Sequence, residues 1–175
     1  MEESPAGGRV ALAREGVANV SSGLPVLDHL VTELARAGRF KVSLEVAPGG
    51  ADEAVVAAGR TLGEAFLGRI DQAGAAGRGW SLVPADEALA LAALERVHEP
   101  RLVTNVDFSG QRVGGLGTDV ASRFLHELAL AAGLNLHVRL VEGTDPQHVL
   151  TAIFKAVGAA LGQACRPVPE TKEDS

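Results

Sequence analysis

Apolar residues along this chain recur with two different periods, and the change of period marks out the elements. Leu27, Leu30, Val31 and Leu34 keep the three- and four-residue spacing of one helix face. Pro25 falls in the first turn of that helix, where its missing N–H costs no hydrogen bond, and Gly38 is expected to end it. Phe40, Val42, Leu44 and Val46 then alternate with Lys41, Ser43 and Glu45, which predicts a strand with one face to water. After the turn Ala47-Pro48-Gly49-Gly50, a helix from about Asp52 to Ile70 buries Val55, Gly59, Leu62 and Phe66. Further on, Val120, Phe124 and Leu128 predict a helix, and Leu134 to Val141 a strand. A closing helix is capped by Asp145, opens on Pro146 and carries Leu150, Ile153, Val157 and Leu161. Between the two groups the pattern is ambiguous. Ala85 to Val97 has helical propensity, yet Leu89 and Leu91 alternate as in a strand.

The two groups are copies of one plan. Glu33-Leu34-Ala35 recurs as Glu127-Leu128-Ala129, an offset of 94 residues. After one extra residue the offset is 95, so Leu62-Gly63 matches Val157-Gly158, and Asp52-Glu53 matches Gln147-His148.

Composition adds limits. The 175 residues are 46% hydrophobic with five Phe and one Trp, enough for one aliphatic core of small, closely packed side chains. Met1 to Gly7 and 167–175 are expected to be unstructured tails around a domain of residues 8–166, with half-repeats at about 17–80 and 81–166. Much of the net charge of −6 lies in these tails. A body without a basic surplus argues against a nucleic-acid partner. No stretch is long and apolar enough for a membrane span, the start lacks a basic signal-peptide region, and the single Cys165 fits a reducing compartment. The expected location is the cytoplasm. Gly114-Gly115-Leu116-Gly117 lacks the Lys-Ser/Thr of a phosphate loop and reads as a turn. Asp86-Glu87 is a pair of carboxylates suited to acid–base work, without a visible proton donor opposite.

Ser22-Gly23-Leu24-Pro25-Val26-Leu27-Asp28-His29, Pro84-Ala85-Asp86-Glu87-Ala88-Leu89, Leu136-His137-Val138 and Phe154-Lys155-Ala156 resemble imidazoleglycerol-phosphate dehydratase, from about Val17 to Cys165. The resemblance implies an internally duplicated α+β domain of the ribosomal S5 domain 2-like class. Each half would pack a four-stranded sheet against helices. It also implies that Ala88 to Val97 and Arg101 to Phe108 are paired strands. The family's first strand has no evident counterpart in the few residues between Gly7 and Val17.

The family's reaction removes water beside an imidazole ring, with two metal ions, usually manganese, acting as Lewis acids on the ring nitrogens. Each half of such an enzyme carries a His-His-x-x-Glu motif at a helix start. In this chain the first motif reads Asp52-Glu53-Ala54-Val55-Val56 and the second Gln147-His148-Val149-Leu150-Thr151. The resemblance leaves His29, His137 and His148 at ligand positions, with Asp52 or Glu53 as a possible carboxylate partner. The paired site is therefore expected to be lost, with no cofactor, or with one remodelled divalent ion of manganese, zinc or iron. Lys155 and Arg78 are the phosphate-binding candidates, whereas His98-Glu99-Pro100 sets a negative charge where a phosphate-binding arginine is expected. Glu53, Asp86 and Glu87 are the remaining catalytic candidates. The resemblance implies a trimer, and a shell of 24 subunits only where metal bridges the trimers. The expectation is a protein of the histidine-biosynthesis family unable to perform its reaction. The alternatives are a single-metal lyase, a true dehydratase with substitute ligands, or an oligomeric subunit that binds a ligand or partner.

Overall fold

The structure, a computed structural model, describes residues 6–108, 112–113 and 116–170. The first half comprises β1 (Ala6–Leu12), β2 (Val17–Ser21), α1 (Pro25–Gly38), β3 (Phe40–Val46) and α2 (Ala51–Ile70). The second comprises β4 (Arg78–Ala85), β5 (Ala88–Arg96), β6 (Arg101–Thr104), a small ladder of β7 (Arg112–Val113) and β8 (Leu116–Gly117), α3 (Thr118–Ala132), β9 (Leu134–Glu142) and α4 (Pro146–Ala164).

The duplication is visible in the strand pairing. In the first half β3 is central, antiparallel to β1 and parallel to β2. In the second β9 is central, antiparallel to β5 and parallel to β6. The second sheet gains one edge, because β4 folds back on β5, giving the order β4-β5-β9-β6 against β1-β3-β2. Thus Ala88–Arg96 is a strand, as the resemblance implies to within one residue, but β5 and β6 do not pair with each other. They lie on opposite sides of β9, whose alternating Leu134, Leu136 and Val138 are buried.

The first strand is present. β1 begins at Ala6 and runs antiparallel to β3, so Ala6 and Gly7 belong to the sheet rather than to a tail. Residues 1–5 and 171–175 lie outside the described residues, as do Gly114 and Gly115 of the expected turn. Strand β4 begins at Arg78, so the elements divide at 71–77, slightly before the expected half-boundary.

All four helices lie between the sheets, α1 against α4 and α2 against α3. This arrangement explains the repeated glycine. A Cβ on Gly158 would lie 2.1 Å from the Leu34 carbonyl oxygen, and one on Gly63 would lie 2.8 Å from that of Leu128. Leu34 and Leu128 are themselves repeat equivalents, so the two crossings are related as the sequence copies are. Gly38 is the last residue of α1, as expected. It is buried under Phe40 and the Gly158 carbonyl, and the left-handed turn falls on Arg39 (φ 56°), where the second copy has Gly133 (φ 66°). Arg166 closes this end by donating to the carbonyls of Gly38, Arg39 and Gly162. It lies over the Phe40 ring.

The sheets differ in their outer faces. The first presents Arg9, Asn19, Lys41, Ser43 and Glu45 to solvent, with Val17 an exposed apolar side chain beside them. The second presents Trp80 (65% exposed), Leu82, Val103 and Val141 together with Arg78, His137 and Arg139.

Candidate functional site

The sequence directs attention to the first turns of α2 and α4. At α4 the Asp145 carboxylate accepts from the Gln147 and His148 amides, the side-chain cap expected from Asp-Pro. This fixes His148 in the first turn, where it meets the two-residue turn between β4 and β5. Asp86, at φ 51°, takes the left-handed conformation that a short polar side chain tolerates, and the tight turn aims both acids at α4. His148 Nδ1 is 2.5 Å from Glu87 Oε2, and its Nε2 is 3.4 Å from Asp86 Oδ2. The other Glu87 oxygen accepts from the Asp145 amide at 3.0 Å. Chiefly through that amide, and then through His148, the Glu87 carboxyl is held down at about 2. The hydrogen bond to Glu87 raises the His148 imidazole above its ordinary value.

The partner of Asp86-Glu87 that the sequence did not reveal is therefore His148. Contact between a hairpin tip and a helix start 61 residues away has no local signature.

At α2 no side chain caps the helix, and Asp52 and Glu53 are exposed in the first turn. Asp52 Oδ1 lies 3.2 Å from Arg123 Nη1 of α3. Together with Arg60, Val56 and Ala57 these residues line a shallow cavity of about 370 Å³. A signal for Arg123 was available in the sequence: the 94-residue offset makes it the equivalent of His29.

His29 is exposed on α1. Its neighbours in the Ser22–His29 motif form that helix's entry: Ser22 Oγ accepts from the Leu24 amide, and the Ser22 amide donates to Asp28 at 3.1 Å. His137 points outward from β9 and pairs with Ala93, six residues along β5 from Glu87, or about 20 Å. One chain thus keeps His137 apart from His148. Among the described residues, no group of three or more His, Cys, Asp or Glu is placed to hold an ion. Glu87 engages Nδ1 of His148, Asp86 lies 3.4 Å from its Nε2, and Arg123 lies 3.2 Å from the Asp52 carboxylate. Among the described residues, one chain does not bring His29, His137, His148 and Asp52 together around one point.

Arg78 and His137 do share a site. Both line a groove of about 900 Å³ with Trp80, Gln163, Arg166 and Val168. It lies at the far end of α4 from His148, about 22 Å along the helix from His148 to Gln163. Lys155, half-buried in mid-helix, does not line it. Among the described residues, no helix is long and apolar enough to cross a membrane.

Comparison with known proteins assigns this duplicated α+β domain to a family. The profile of imidazoleglycerol-phosphate dehydratase matches residues 22–161. The chain belongs to that family. The imidazoleglycerol-phosphate dehydratase of Pelobacter propionicus is 37% identical over 161 residues, covering 90% of this chain and 83% of its own. That of Bacillus subtilis is 34% identical over 162 residues, with 90% and 83% coverage. The crystal structure of the Staphylococcus aureus enzyme superposes with a TM-score of 0.84 at 25% identity, covering 93% of this chain and 95% of that one. The Pyrococcus furiosus structure, at 20% identity, gives 0.80 with 99% and 97% coverage.

Proposed function

We propose that this protein is a member of the family that does not catalyse the dehydration, and that it acts as an oligomeric subunit binding a ligand or a partner. The observation that carries this reading is the set of side chains at the two helix starts. Asp52, Glu53 and Val56 stand in one copy, and Gln147, His148 and Thr151 in the other. Val56 has no donor atom, and Thr151 spends its hydroxyl on the Gln147 carbonyl at 2.9 Å. Neither can supply the carboxylate that a hard or borderline cation needs one turn into the helix. Glu99 adds repulsion for a phosphorylated substrate.

Self-association is supported by the second sheet. Its outer face exposes Trp80, Leu82 and Val103 beside Arg78, His137 and Arg139, whereas the outer face of the first sheet exposes Val17 among polar side chains. A trimer formed through that face, in the reducing interior of the cell, is the assembly we propose. The decisive experiment is turnover of imidazoleglycerol phosphate by protein stripped with chelator and reloaded with manganese. No product is expected, and measurable product would overturn the reading.

A further inference from the structure

We infer that the helix start of α2 holds its own fixed cations, Arg123 and Arg60, and that these guanidiniums exclude a divalent metal ion from Asp52 and Glu53. This inference rests on the proposed loss of the paired metal site and names what has taken the ions' place in the first half.

Two acids, Asp52 and Glu53, and two guanidiniums, Arg60 and Arg123, line one cavity, so its formal charge is balanced without an ion. The Arg123–Asp52 contact is direct at 3.2 Å, while Arg60 also reaches Glu127 of α3 at 3.8 Å. Both arginines are largely exposed, so pairs of this kind add little to folding stability. Their electrostatic effect on a bound ion is larger. A cation on Asp52 Oδ1 would sit about 2.0–2.6 Å from that oxygen, and hence within roughly 6 Å of Arg123 Nη1, which is 3.2 Å from it. At that separation a doubly charged ion is repelled even through water. Val56 and Ala57, which complete the lining, carry no side-chain donor.

The geometry of the fold makes Arg123 the residue to carry this role. Helices α2 and α3 run side by side in the same direction, since Gly59 abuts Phe124 and Glu127 while Gly63 abuts Leu128 and Ala131. Residues near the start of α3 therefore reach the start of α2. In the other pair, the equivalent position on α1 carries His29, a metal-compatible side chain; here it carries a permanent cation.

The test uses the full-length protein. Manganese(II) is titrated and the free-ion electron paramagnetic resonance signal gives affinity, while broadening of backbone amides 51–57 locates the ion. Wild-type protein is expected to leave those amides sharp. The double variant Arg60→Gln/Arg123→Gln is expected to bind manganese there at least about tenfold more tightly. Adding Asp52→Asn and Glu53→Gln should abolish the gain. Arg60→Lys/Arg123→Lys, which preserves charge, should remain as silent as wild type. Equal broadening in wild type and the glutamine variant would overturn the inference, as would a well-folded glutamine variant that gains no affinity. Turnover by wild type with silent amides would refute the proposed loss of catalysis and leave the exclusion at α2 standing.

Discussion

His148 is the residue whose surroundings depart most from those of an isolated side chain. Its imidazole is raised above 6.5 by Glu87, and Glu87 is lowered from 4.5 to about 2. The raised group stabilises the fold fully below pH 6.5, and its contribution fades as pH rises through the folded value. The lowered group contributes fully above 4.5 and loses its effect as pH falls through about 2. The hairpin and α4 are therefore held together best in mildly acidic to neutral solution. An NMR titration of the His148 ring should give a midpoint above 6.5 in wild type and a lower one in Glu87→Gln. Asp86→Asn should move it less, because Asp86 is the weakest of the three charges acting on the ring. An unchanged midpoint in Glu87→Gln would show that the short contact does not persist in solution.

At the scale of elements, the helix pairs depend on glycine for their closeness. Gly158→Ala would press a methyl group to 2.1 Å from the Leu34 carbonyl, so α1 and α4 must separate. A loss of at least ~2 kcal/mol is expected in denaturant unfolding. Gly68 is the matching control, because it is exposed in α2 and a methyl group added there would meet no atom within 4 Å. Gly68→Ala should gain ~1 kcal/mol from helix propensity alone. The period of the apolar residues was enough to read β3, α2 and α4 nearly to their ends. It was not enough for β5, whose Ala and Leu residues satisfy either period. Gly38 was legible as the end of α1, but its place in a helix crossing was not.

At the scale of the molecule, the two sheets enclose the helices, and the second exposes the larger apolar side chains, Trp80 and Leu82, on its outer face. If that face is a self-association surface, Trp80→Glu combined with Leu82→Lys should reduce the mass seen by light scattering to the 18.0 kDa of one chain. Lys41→Glu, on the outer face of the first sheet, should leave the assembly intact. A wild-type protein already at the single-chain mass would refute the proposed trimer.

The duplication, the order of helices and strands, the aliphatic core and the residues at both helix starts were determined by the sequence itself, because each is written in local periodicity or in a repeat of fixed offset. Pairing across distance was decided only in three dimensions: β9 between β5 and β6, Glu87 on His148, Arg123 on Asp52. Those contacts join residues that share no period and no neighbourhood in the chain. They form only once the packed helices have set the separation and direction of the elements that carry them.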